Sequence, residues 1–96
     1  MSEINKLAQT AFNTAIIRGK TNKDLSHDET FFGILEELRE FRVASEFGKS
    51  KHLPEYTEAQ EELADVLICC PTELHRRGVD VEKILRDKVE FNKTRV

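Results

Sequence analysis

Four carboxylates in this chain have the types and spacing to do chemistry together. Glu37 and Glu40 stand three residues apart in EELRE, residues 36–40, and Glu62 and Asp65 repeat that spacing in EELAD, residues 61–65. On a helix such residues are neighbours on one face, so each pair presents two carboxylates side by side. Like charges held together by a fold are unfavourable unless a cation neutralises them. Oxygen donors of this kind suit a hard divalent ion, Mg²⁺ or Mn²⁺, better than zinc. The competing account is that each pair lies on a solvated helix face, where acids at this spacing are common. What separates the two accounts is where the pairs fall relative to the apolar stripes of their helices.

Four helices are expected to carry these residues. The first runs from about Ser2 to Arg18, with Ile4, Leu7, Ala8, Ala11, Phe12, Ala15 and Ile16 at helical spacing, and ends at Gly19. Ser26 with Glu29 reads as a capping box that opens a second helix, running to about Phe47 and ended by Gly48. Thr57 with Gln60 is another box, opening a third helix to about Arg77, with Gly78 as its stop. Asp80 is the expected cap of a last helix from Val81 to about Asn92. Pro71 falls inside the third helix, where it predicts a kink near Leu67 or a stop and restart. No segment alternates with the period of two that marks a strand, so the fold is all-α, four-helix and bundle-like.

On the second helix Phe31, Ile34, Leu35, Leu38 and Phe41 form one stripe, with Glu37 flanking it and Glu40 next beyond. On the third, Leu63, Val66, Leu67, Cys70 and Leu74 form the main stripe, with Glu62 and Asp65 beside it and Ala64 and Ile68 on the far side. A helix apolar on two sides packs against two neighbours. Glu61 points away from the main stripe and is left out of the candidate set. The last helix has Val81, Ile84 and Leu85 on its apolar face, yet Lys88 and Asn92 fall in the middle of that face and Arg95 near its edge. Snorkelling of a long stem accounts for Lys88. It accounts less well for Asn92, because a short amide turned inward needs partners.

Composition narrows the function classes. The chain has 96 residues, 34% of them charged, a net charge of -3 and no Trp. So short and charged a chain has little core of its own, which points to an oligomer that buries area against a partner. The acidic balance argues against nucleic acid as the main ligand. No apolar run approaches the ~20 residues of a membrane span, and MSEINKLAQT lacks the apolar core of a signal peptide. A cytoplasmic location is therefore expected. Cys69 and Cys70 are adjacent, a poor arrangement for a disulfide, and Cys70 with His75 is no zinc spacing. They read as buried, reduced thiols.

The ordered set of motifs resembles a known family. Glu36, Glu37 and Glu40 in EE-x-x-E, then about twenty residues on Glu62 and Asp65 in E-x-x-D, then Gly78-Val79-Asp80 followed by Lys88, Asn92 and Arg95 in K-x-x-x-N-x-x-R, are similar to the MazG-like all-α nucleoside triphosphate pyrophosphohydrolases. The resemblance implies a single MazG-like domain over residues 1–96 that hydrolyses nucleoside or deoxynucleoside triphosphates to the monophosphate and pyrophosphate, a nucleotide-pool house-cleaning activity. It implies Mg²⁺ (or Mn²⁺) held by Glu37, Glu40, Glu62 and Asp65, with the ion neutralising phosphate oxygens and activating or orienting water. Lys88, with Arg95, would offset developing phosphoryl charge, and Asn92 would bind the nucleotide or its phosphates. Glu36 would be second-line or solvated, or a proton acceptor from the water. The resemblance also implies a homodimer or homotetramer whose subunits share the site.

This sequence departs from the family pattern at Pro71, at Cys69, where relatives often carry a polar or aromatic side chain, and in having no Trp to stack on a base. Phe12, His27, Phe31 and Phe32 are substitutes whose plainer roles are core and capping. Two other readings stay open: a related phosphoribosyl-ATP-type pyrophosphohydrolase, and a non-catalytic helical oligomer that binds nucleotides or a protein partner.

Overall fold

Local chemistry at the helix starts explains most of the architecture. Ser2 accepts a hydrogen bond from the Asn5 amide at 3.1 Å and caps the first helix. Ser26 and Glu29 exchange reciprocal bonds of 3.1 and 3.0 Å, and Thr57 and Gln60 do the same at 3.1 and 2.9 Å. Asp80 accepts from the Lys83 amide at 3.1 Å. Each cap satisfies amides that the first helical turn leaves without partners. The computed structural model describes residues 1–95. They form α1 (Glu3–Ile17), α2 (His27–Ala44), α3 (Glu58–Arg76) and α4 (Val81–Lys93). There is no strand among the described residues, only an isolated antiparallel bridge between Lys49 and Thr57. The all-α expectation holds.

Two expected features differ. α2 stops at Ala44 instead of reaching Phe47. The Glu46 and Phe47 amides bond back only three residues, to the Val43 and Ala44 carbonyls, and the Ser45 hydroxyl donates to the Arg42 carbonyl. These tighter bonds draw the chain out of the α-helix before Gly48. Gly48 does not adopt the left-handed conformation; Gly19 and Gly78 do, at φ +71 and +76. The second concerns one of the two alternatives at Pro71: α3 neither stops nor restarts there. Proline removes one backbone bond, the one to the Leu67 carbonyl. Leu67 lies on the exposed side of the helix, 70% accessible, where water can take up that carbonyl.

The chain divides into two compact units, one of Met1–Lys23 with the residues from Pro71 onward, the other of Asp24–Cys70. In the first, α1 packs on α4. The Asn5 amide joins them, donating to Asp80 Oδ1 and accepting from the Glu82 amide, both at 2.9 Å. Ala8 and Val81 are buried there, Phe12 and His75 stack with ring centroids 5.2 Å apart, and Arg76 bonds Glu73 and the Lys23 carbonyl. The second unit holds α2, the connection that follows it and most of α3, with Ala44 and Ser50 buried. Many large apolar side chains remain exposed, among them Leu7, Leu63, Leu67, Ile68 and Val89. No helix is long and apolar enough to cross a membrane.

Candidate functional site

The inward face of α2 is the line Ile34, Glu37, Phe41 and Ala44, at i, i+3, i+7 and i+10. Glu37 thus lies on the more buried line of the helix, while Phe31 and Leu38 are 54% and 44% accessible. On α3 Glu58, Glu62, Asp65 and Cys69 are half-buried, and the expected main stripe is split: Val66 and Leu74 are half-buried too, whereas Leu63 and Leu67 are 52% and 70% accessible and Cys70 is exposed. An apolar stripe at helical spacing identifies a face to be covered, not which neighbour covers it. Here Glu62 and Asp65 are more sheltered than Leu63 and Leu67.

This places carboxylate oxygens of Glu37, Glu40 and Glu62 within 4.8 Å of one another. Glu37 and Glu62 are half-buried and Glu40 is exposed. Asp65 lies outside that closest group, but its charge acts on both Glu37 and Glu62. One oxygen of Glu37 and one of Glu62, both Oε2, are buried with no hydrogen-bond partner. Glu36 is exposed beside the cluster.

The electrostatic consequence follows from burial and crowding. Desolvation first, then the Glu40 and Asp65 charges and a hydrogen bond with the Glu40 carboxyl, raise the Glu37 carboxyl to about 7. Burial, then Asp65 and Glu40, also raise Glu62. One turn beyond Asp65, the Cys69 thiol is pushed up to about 11, by burial first and by Glu37 next. A thiol in this setting is protonated and unreactive near neutrality. Cys69 and Cys70 are both free, but they are not buried as expected: Cys69 is half-buried and Cys70 exposed, because the Leu63–Leu67–Cys70 side of α3 faces outward.

The cluster is composed only of carboxylate oxygens, two of them buried and unpartnered. This donor set matches a hard divalent cation in chemical type. Glu37, Glu40 and Glu62 are the residues that could hold one.

Glu61, set aside on sequence grounds, has a different task. Its carboxylate accepts from the buried Ser50 hydroxyl through Oε2 and meets His52 Nδ1 at 3.0 Å through Oε1. Those bonds, Ser50 first, hold it below the usual carboxylate range. Ser50 Oγ in turn accepts from the Leu53 and His52 amides at 3.0 and 3.2 Å, and the Ser50 amide donates to the Tyr56 carbonyl. Glu61 therefore ties the α2–α3 connection to the first turn of α3, one residue before Glu62. No local signal predicts this, because the partner lies eleven residues away.

Lys88, Asn92 and Arg95 belong to the other unit, on and just after α4, and all three are exposed. The expectation of an inward-facing Lys88 and Asn92 does not hold within the chain: Ile84 and Leu85 are themselves 40% and 44% accessible. Lys88 Nζ instead sits 4.8 Å from the centre of the Phe91 ring. Arg95 Cζ lies 6.0 Å from the same ring. Phe91 was not among the aromatic side chains singled out from sequence, although its place three residues after Lys88 and four before Arg95 puts all three on one stripe. The same unit has a cavity of about 210 Å³ lined by Met1, Asn5, His75, Gly78, Val79 and Val81, which includes none of the candidate residues.

The chain matches no family model, no curated protein and no solved structure. Its functional reading therefore rests on its own residues and their geometry.

Proposed function

We propose that this protein is a Mg²⁺-dependent nucleoside triphosphate pyrophosphohydrolase, releasing pyrophosphate and a nucleoside monophosphate. The observation that carries the reading is the gathering of Glu37, Glu40 and Glu62 from two separate helices, with the Oε2 atoms of Glu37 and Glu62 buried and unpartnered. A sheltered, crowded carboxylate cluster costs stability, and a divalent cation offsets that cost. The sequence order of the motifs, similar to that of the MazG-like enzymes, supports the same reading.

In this reading Glu37, Glu40 and Glu62 hold the ion, with Asp65 beside them adding negative charge. When bound, the ion neutralises phosphate oxygens and lowers the pKa of a water molecule. Glu36, exposed and one residue before Glu37, is the candidate acceptor for the proton of the attacking water. Lys88 and Arg95 are the cations for the triphosphate chain, and Asn92 an amide for its nucleoside end. Such groups act by offsetting charge that builds up as the anhydride bond breaks.

The exposed apolar side chains support the proposal of a homodimer or homotetramer. Leu63, Leu67 and Ile68 on α3 and Ile84, Leu85 and Val89 on α4 are 40–70% accessible, and clustered apolar exposure of this kind marks surfaces that meet another protein.

A pyrophosphate-release assay over a panel of nucleoside and deoxynucleoside triphosphates, with and without Mg²⁺, tests the reading. Metal-dependent release from at least one substrate is the expected result. Absence of turnover on every member sinks it.

A further inference from the structure

We propose that Phe91 is a nucleobase-stacking platform, and that Lys88 and Arg95 rest on its ring only until a nucleotide's phosphates draw them off. The proposal rests on the reading of this protein as a nucleotide-binding enzyme and names the residue that would grip the base.

Three observations carry it. Phe91 is 55% accessible, so its ring is within reach of a ligand, a property it shares with Phe31, Phe32 and Phe47; what sets it apart is its company. Two cations attend the one ring, Lys88 Nζ at 4.8 Å and Arg95 Cζ at 6.0 Å from its centre. The neighbouring side chain, Asn92, is an exposed amide able to donate to and accept from a base edge. An aromatic ring interleaved with Lys and Arg is the composition with which proteins take bases and phosphates together.

The cations and a base compete for the ring, and magnitudes decide the outcome. At an exposed site a cation–π contact favours the stacked arrangement by no more than about fivefold. A triphosphate offers several negative charges at once, and charge-assisted bonds to phosphate are stronger than a contact with a neutral ring. Lys88 and Arg95, long and flexible, would swing to the phosphates and leave the ring face to the base. Without ligand the two cations cover part of the ring's apolar face. The platform carries no base-specific hydrogen bond of its own, so it grips purines and pyrimidines alike, purines more strongly through larger overlap. A ligand without a base gains nothing from the ring.

The test measures equilibrium binding to the full-length protein with Mg²⁺ present, using α,β-methylene analogues of a purine and a pyrimidine nucleoside triphosphate, and inorganic tripolyphosphate as the base-free probe. Phe91→Leu is expected to weaken both analogues about tenfold, one decade being about 1.4 kcal/mol, and to leave tripolyphosphate within about twofold. Because the chain has no Trp, Phe91→Trp introduces a single indole. Its fluorescence should be quenched by the analogues and not by tripolyphosphate, with affinity kept or improved. Equal weakening of all three ligands by Phe91→Leu, or no weakening, overturns the platform, as does an indole that is silent to the analogues. Should Phe91→Leu fail to fold, the indole variant decides alone. Analogue binding without hydrolysis of any natural triphosphate would end the enzyme reading and leave the platform standing. Hydrolysis insensitive to Phe91 would do the reverse.

Discussion

Glu37 on α2 and Glu62 on α3 bring carboxylate oxygens within 4.8 Å of each other, and each keeps a buried Oε2 without a hydrogen-bond partner. The arrangement concentrates negative charge where water is partly excluded. Without a cation its weight falls on stability, and this is measurable apart from any activity.

Replacing either acid with its amide should therefore separate folding from function. Glu62→Gln removes a charge that Asp65 and Glu40 repel, while its volume is unchanged. In metal-free buffer the variant is expected to be about 0.5–1 kcal/mol more stable, and its pyrophosphate release should fall by at least about a hundredfold. Chemical denaturation and the release assay provide the two readings. A destabilised variant would mean that these acids hold the fold together.

The pH dependence of stability has a definite sign. Glu37 is raised from 4.5 to about 7 in the folded chain, so the folded state binds its proton more tightly than the unfolded state. Stability from this group is fully present below about pH 4.5 and is lost as pH rises through about 7. After discounting for partial solvent exposure the loss is on the order of 1 kcal/mol, about 4–8 °C in Tm for a chain of this size. Metal-free Tm should decline from pH 5.5 to pH 8. Added Mg²⁺ should recover it at pH 8 and have little effect at pH 5.5, where the proton competes with the ion. A metal-free Tm that rises over this interval would contradict the assigned cause.

Ser50→Ala probes the tether that Glu61 makes. Ser50 is 2% accessible, and its hydroxyl donates to Glu61 while accepting from the Leu53 and His52 amides. Removing it leaves two sheltered amides and Glu61 Oε2 without that partner, while His52 still meets Oε1, a loss of about 1–3 kcal/mol. Limited proteolysis should then cut faster between Gly48 and Thr57, while α1 and α4 keep their protection from hydrogen exchange. Uniform loss of protection across all four helices would show that the tether serves the whole chain.

What the sequence reveals depends on how far away each partner stands. Caps are local, so Ser26, Thr57 and Asp80 announce their helices through residues three positions on. The end of α2 is harder, because it depends on Ser45 and on three-residue backbone bonds that have no strong residue signature. The acid spacing reveals that Glu37, Glu40, Glu62 and Asp65 could face one another. Spacing does not reveal that Glu62, Asp65 and Cys69 are half-buried while Leu63 and Leu67 face outward. Periodicity marks an apolar face, and a face reserved for something outside the chain looks the same in sequence as one meant for the core. Leaving Glu61 out of the acid set agrees with the geometry, but its tie to Ser50 is not legible, because that partner lies in a loop beyond helical periodicity.

Pro71 provides the last test, because it stands inside an unbroken α3 at the point where the chain passes from one compact unit to the other. A helix-interior proline costs about 3 kcal/mol relative to alanine, through the missing amide and the clash with the carbonyl four residues back. Part of that cost is recovered here, since the Leu67 side of α3 is open to water. Pro71→Ala should restore the bond to the Leu67 carbonyl and stabilise the chain by about 1–2 kcal/mol. If the proline also sets the course of α3 beyond Cys70, turnover of the Pro71→Ala variant should fall even as its Tm rises. Denaturant midpoint and pyrophosphate release measured on the same preparation distinguish these outcomes. A gain in stability with unchanged turnover would reduce Pro71 to a tolerated local cost, and a loss of stability would show that the ring is packed usefully where it stands.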